Sequence, residues 1–131
     1  MTGLDTNVLV RYVMLDDARQ SARATRLIES FTAEEPGFVP LVAVLELVWV
    51  LSGSYGLGRA QVAVALESLL RSKELVVDRA DLVARALNRF RDAGADFADA
   101  LIERIAVAAG CPVTMTFDAG AAKVAGMMLV P

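Results

Sequence analysis

Apolar residues recur along this chain with two alternating periods. Short strand candidates fall at Met1–Leu4, Phe38-Val39, Leu75–Val77 and Val113–Thr116, and Leu129-Val130 offers a further edge strand. Between them lie helix-length segments at Val8–Leu15, Ala18–Phe31, Pro40 to about Leu51, Arg59–Leu70, Ala80–Arg91, Asp96 to about Ala109, and a short Ala119–Ala125. In Ala18–Phe31 the apolar Ala22, Leu27 and Ile28 are interspersed with Arg19, Arg23, Arg26 and Glu29, a partly amphipathic pattern. The segment after Pro40 is apolar nearly all round, and Pro40 suits its first turn because a first-turn N–H has no helical partner to lose.

Punctuation supports these bounds. Glu34-Glu35-Pro36-Gly37 reads as a turn, Ser52 to Gly58 as a flexible loop and Gly110 as a helix end. Thr6 or Asn7 can cap the first helix, because their side-chain oxygens accept free backbone N–H groups. Asp16 and Asp17 can cap the second. Strands separated by helices, with no repeat or long linker, predict one α/β domain over 1–131 with a mainly parallel sheet. Such sheets carry functional groups beyond the carboxyl ends of their strands.

Composition then narrows the chemistry. The chain has no histidine, which removes Ser-His-Asp and Cys-His catalysis and every histidine metal site. Its one cysteine, Cys111, excludes an intramolecular disulfide and thiolate zinc sites, and is expected to be a small buried apolar residue. A reducing cytoplasm suits this. The N-terminus lacks a basic stretch followed by an apolar one, so no signal peptide is expected. The longest apolar run, Phe38 to Leu51, is interrupted by Pro40 and Glu46 and is too short for the roughly 20 residues that span a bilayer. The formal net charge of −3 argues against a general nucleic-acid coat, though bound cations can supply a positive field locally. Apolar residues make up 56% of the chain, an excess that points to buried helices, a parallel sheet covered on both faces, or an apolar partner surface.

The carboxylates are what remains. Asp5 directly follows the first strand and Asp118 a late one, so a parallel sheet puts both on one edge; each also suits a helix cap. Glu46 is the only charge in Leu41–Leu51, and burial there demands a metal, an Arg or a backbone donor. Asp96, Asp99 and Glu103 share a helical face, with Ile102, Ile105 and Ala109 opposite. Asp96 precedes the helix and can cap it, while Asp99 lies in the first turn. An oxygen-only carboxylate set suits Mg²⁺ or Mn²⁺ rather than zinc, and serves phosphodiester hydrolysis best.

With these residues assembled, the chain resembles the PIN-domain ribonucleases, and among them the VapC-type toxins of toxin–antitoxin pairs. Leu4 to Tyr12 resembles the family's opening strand, first acid and polar cap; Leu41 to Leu51 is similar to its second segment, Asp96 to Ile102 to its third, and Thr114 to Asp118, with Gly126-Met127, to its last. The resemblance implies an α/β/α sandwich, with Mg²⁺ or Mn²⁺ held by Asp5, Glu46, Asp99 and Asp118. It further implies support from Thr6, Asn7, Asp96 and Thr116, a single-stranded or structured RNA substrate, a cognate antitoxin and a homodimer. Glu103-Arg104 departs from the family pattern, where small residues are common. Two readings from other classes stay open. An aspartyl-nucleophile phosphatase usually wants a second Asp two residues after the first, where this chain has Asn7. A non-catalytic PIN-like binding module would be expected to lose acids that are all kept here.

Overall fold

The structure is a computed structural model describing residues 1–131. The chain divides into two compact units, Met1–Ala80 and Asp81–Pro131.

The first unit runs β1 (Thr2–Gly3), α1 (Thr6–Met14), α2 (Ala18–Glu29), β2 (Gly37–Val39), α3 (Leu41–Gly53), α4 (Arg59–Arg71) and β3 (Leu75–Val77). Its three strands lie in the order β1-β2-β3 and pair in parallel, Thr2 opposite Gly37 and Phe38 opposite Val76. Parallel pairing follows from the helices between strands, which return the chain to the starting edge before the next strand. Gly37 sits where no side chain fits: a Cβ there would come 2.6 Å from the Phe31 ring and 3.0 Å from Leu75. Leu9, Ile28, Val39, Leu47, Val62 and Leu66 are fully buried and bring the helices onto the sheet.

The second unit takes up α5 (Ala80–Asp92), α6 (Phe97–Ala108), β4 (Met115–Thr116), α7 (Ala119–Val124) and β5 (Met128–Leu129). Here β4 and β5 pair in parallel, Met115 opposite Met128, with α7 as the crossover. Phe90 of α5 meets Phe97 of α6 edge to face, ring centroids 6.1 Å apart and planes at 86°, the arrangement the ring quadrupoles favour. Every strand pairing is parallel and seven helices accompany the strands, so the α/β class expected from the alternation holds.

Several expected bounds shift. The first helix opens at Thr6 rather than Val8, because Asp5 and not Thr6 or Asn7 is its cap. It closes at Met14, with Leu15 in the left-handed region at φ 55°. The second helix stops at Glu29, short of Phe31, and the third continues two residues past Leu51. The fourth strand shrinks to Met115-Thr116, and the last lies one residue earlier than Leu129-Val130. Cys111 is exposed rather than buried. No helix is long and apolar enough to cross a membrane.

Candidate metal centre

In the first unit the parallel order sets the geometry. The carboxyl ends of β1, β2 and β3 share one edge, so Asp5 after β1 and the start of α3 after β2 are neighbours. Asp5 caps α1, its Oδ1 accepting from the Thr6 N–H at 2.7 Å. The buried Thr6 turns its side chain the other way, and Oγ1 donates to Oε1 of Glu46 at 2.8 Å. Asp5, Thr6, Asn7 and Glu46 line one cleft of about 490 Å³ with Arg11 and Tyr55.

Glu46 is exposed, which corrects the expectation that its helix offers no solvent face. Helix α3 buries Ala43, Val44, Leu47 and Leu51 on one side. The other side presents Val42, Glu46 and Trp49, spaced one turn apart, with Val42 69% and Trp49 81% exposed. The helix is apolar all round because apolar side chains stand in solvent, not because it is buried all round. Glu46 therefore needs no partner to offset burial; what fixes it is the Thr6 hydroxyl.

The far wall of this cleft is a network that pattern reading missed. Arg11 Nη1 donates to Asp16 Oδ1 at 3.0 Å and to the Tyr55 hydroxyl at 3.3 Å, and its Nε donates to Gln20 at 2.8 Å. Tyr55 donates in turn to Asp16 Oδ2 at 2.7 Å. That hydroxyl, and after it Arg11, holds the Asp16 carboxyl below its usual range. Tyr55 comes from the loop after α3, 44 residues from Arg11, and no local period announces such a pairing.

In the second unit Asp118 lies two residues after the end of β4 and caps α7, its Oδ1 accepting from Gly120 N–H at 2.7 Å and Ala121 N–H at 3.3 Å. Thr116 Oγ1 accepts from the Asp118 N–H at 3.0 Å and so fixes the turn that presents the acid. Asp96 caps α6, its Oδ2 accepting from the Asp99 N–H at 3.1 Å. Asp99 then stands in the first turn, partly buried. Burial raises its carboxyl above the usual value, and the charges of Asp96 and Asp118 raise it further. Three acids of this unit thus share one electrostatic neighbourhood, which disfavours the ionised form of Asp99.

Glu103 does not extend this acidic face. It is buried, and Arg104 grips it with Nε at 2.5 Å from Oε2 and Nη2 at 2.6 Å from Oε1. These hydrogen bonds hold its carboxyl below the usual range, with help from the charges of Arg104 and Arg89. Nor is the opposite side of α6 its core: Ile102 is 53% exposed, while Phe97, Ala100 and Leu101 are buried. Gly126, at φ 77°, leaves room for the Arg89 guanidinium, which a Cβ there would strike.

Asp5 and Glu46 share one cleft of the first unit, and Asp96, Asp99 and Asp118 one electrostatic neighbourhood of the second; no group of three or more acidic or cysteine side chains is arranged as a preformed metal cage. The donor set itself is all oxygen, which fits Mg²⁺ or Mn²⁺. The family profile described as PIN domain matches residues 4–127. No curated protein and no solved structure matches the chain.

Proposed function

The chain belongs to the PIN domain family, a fold generally used by nucleases, and from that premise we propose that it is a Mg²⁺- or Mn²⁺-dependent endoribonuclease whose metal-binding acids are Asp5, Glu46, Asp99 and Asp118. The observation that carries this reading is the crowding of Asp96, Asp99 and Asp118, where neighbouring charge and burial penalise an ionised Asp99. A folded chain retains that penalty where a cation can relieve it. Glu46, held by Thr6 beside Asp5, is a second pair of the same chemistry.

Each residue has a role in this reading. Asp5 and Asp118 each spend one oxygen on a cap, which locks the side chain and leaves the other oxygen for a cation. Asp96 is the cap that orients the first turn of α6 and hence Asp99. Thr6 fixes Glu46, and Thr116 fixes the Asp118 turn. Asn7, exposed at the lip of the first-unit cleft, hydrogen-bonds the substrate. A bound Mg²⁺ or Mn²⁺ supplies an acidified water and Lewis acidity toward phosphate oxygens. With no histidine available, proton transfer to and from that water falls to these carboxylates.

The finer biological reading is that of a VapC-type toxin, acting in the cytoplasm, homodimeric and neutralised by a cognate antitoxin. Its support is the resemblance already described, together with apolar surface left in solvent: Val42 and Trp49 on α3, Val64 on α4 and Leu15 after α1. The test compares hydrolysis of single-stranded RNA and of a phosphomonoester in Mg²⁺, Mn²⁺ and EDTA, and growth of cells expressing the chain. Metal-dependent RNA cleavage with growth arrest supports the whole reading. Phosphomonoester hydrolysis alone replaces it with a phosphatase. RNA cleavage with healthy growth leaves a nuclease that is not a toxin.

A further inference from the structure

Helix α2 carries three arginines, Arg19, Arg23 and Arg26, on one face: at 100° per residue they fall within about 60° of each other. All three are exposed, and none makes a hydrogen bond or ion pair. Arg11, Arg71 and Arg104, by contrast, are all paired with acids.

This placement is unfavourable in the isolated chain. Arg19 lies in the first turn, at the positive end of the helix dipole, and no acid shares that turn. Arg19 repels Arg23 one turn on, and Arg23 repels Arg26. The only acid of the helix, Glu29, is its last residue. In a chain of net charge −3, such a concentration is local and not a reflection of overall composition.

Its location gives it a use. A cleft of about 630 Å³ runs between α1 and α2, with Asn7 and Arg11 on one wall and Gln20 and Arg23 on the other. Asn7 and Arg11 also line the cleft that holds Asp5 and Glu46, so the two clefts adjoin through shared residues. Arg11, anchored by Asp16, Tyr55 and Gln20 and neutralised by the Asp16 carboxylate, is a polar divide between the two clefts.

We propose that Arg19, Arg23 and Arg26 form a track for the phosphodiester backbone of the RNA substrate, entered from the Asp5–Glu46 cleft past Asn7 and Arg11. The inference rests on the ribonuclease reading and adds the path that the strand takes away from the acids. Phosphate groups neutralise the three arginines, relieve their mutual repulsion and displace counterions to solvent. The contacts carry no sequence preference, so the track strengthens binding of any RNA and sets its register on the acids.

The experiment measures binding of fluorescein-labelled single-stranded and duplex RNA to the full chain in EDTA, which separates binding from cleavage, over a range of salt. The variant replaces Arg19, Arg23 and Arg26 by Gln, which keeps helix propensity; circular dichroism checks its fold. The control replaces Lys73, Arg79 and Arg85 by Gln, the same change in charge elsewhere. Each single-strand phosphate contact contributes about 0.7 to the slope of log affinity against log salt, so losing three flattens it by about two. The proposal expects that flattening for single-stranded RNA in the track variant and an unchanged slope in the control. In Mn²⁺ the track variant should show a raised KM with kcat kept. A preference for duplex with the same flattening keeps the track and changes the substrate's form. An unchanged slope in the track variant overturns the proposal, as does equal flattening in the control. A change in oligomeric mass with RNA binding intact would assign the face to a protein and overturn it too. If the wild type binds RNA with the expected slope but never cleaves it, the nuclease reading fails while the track stands.

Discussion

The hydroxyl of Thr6 donates to the carboxylate of Glu46 at 2.8 Å, joining two residues 40 positions apart. The bond exists because β1 and β2 are parallel neighbours, so the helices that follow them start side by side. Thr6 is buried while Glu46 is exposed, and the hydroxyl is therefore what gives an otherwise free side chain one orientation. Thr6→Val keeps the shape and removes only that donor. It should lower stability by no more than about 1 kcal/mol, the worth of one ordinary hydrogen bond. Mn²⁺ affinity should fall several-fold, because Glu46 then loses rotamer freedom on binding. Thermal melts and metal titration of the same sample check both; unchanged affinity would mean that Glu46 needs no positioning.

Asp96 and Asp99 sit three residues apart and have different work. Asp96 accepts the Asp99 N–H as helix cap. Asp96→Asn keeps a capping oxygen and should retain most activity, while Asp96→Ala should cost about 1 kcal/mol of stability. Asp99→Asn should abolish cleavage. In EDTA at neutral pH it should melt no lower than wild type, since it removes a charge that burial and the Asp96 and Asp118 charges disfavour. Greater activity loss in Asp96→Asn than in Asp99→Asn would reverse the two roles.

Glu103 gives the fold a defined acid dependence. Its carboxyl is held below the ordinary value of 4.5, first by the Arg104 hydrogen bonds. A depressed carboxyl contributes stability that is complete above the unfolded value and is lost as pH falls through the folded one. The melting-temperature gap between wild type and Glu103→Gln should therefore be full at pH 7 and close only as pH falls below 4.5 and through the lowered folded value. At neutral pH the gap should correspond to about 1–3 kcal/mol, because Arg104 loses a charged acceptor with two oxygens and keeps at most one neutral oxygen. A gap that persists unchanged at low pH would show that packing, not charge, is what Glu103 supplies.

The strands and helices are legible because their periods differ, but the single sheet edge expected to carry both Asp5 and Asp118 does not form: β1 belongs to the three-stranded sheet and β4 to the two-stranded one, a partition that strand-length runs do not reveal. What misled was Glu46. Ten apolar neighbours from Leu41 to Leu51 read as burial, yet Val42 and Trp49 flank it in solvent. Sequence records hydrophobicity but not which apolar residues the fold leaves uncovered. In the sequence Asp5 suits a ligand or a cap, and Thr6 or Asn7 offers a capping oxygen just as well. A one-residue shift in a cap is invisible to a 3.6-residue period. Glu103 shared a helical face with Asp96 and Asp99, but its Arg104 neighbour turns toward it, and a helical wheel places adjacent residues about 100° apart. The Arg11–Asp16–Tyr55 network could have been suspected only from Tyr55, an aromatic hydroxyl in an otherwise flexible loop.

Asp5, Glu46, Asp99 and Asp118 are proposed to serve one metal-dependent reaction, and Mn²⁺ binding tests that proposal most directly. Titration calorimetry would compare wild type with Asp5→Asn and Asp99→Asn, each confirmed folded by circular dichroism. Asn keeps the Asp5 cap and the size of both side chains, so only anionic ligands are removed. The account predicts Mn²⁺ binding in the wild type that weakens at least tenfold in each variant alone. Wild-type affinity retained in either variant would contradict it.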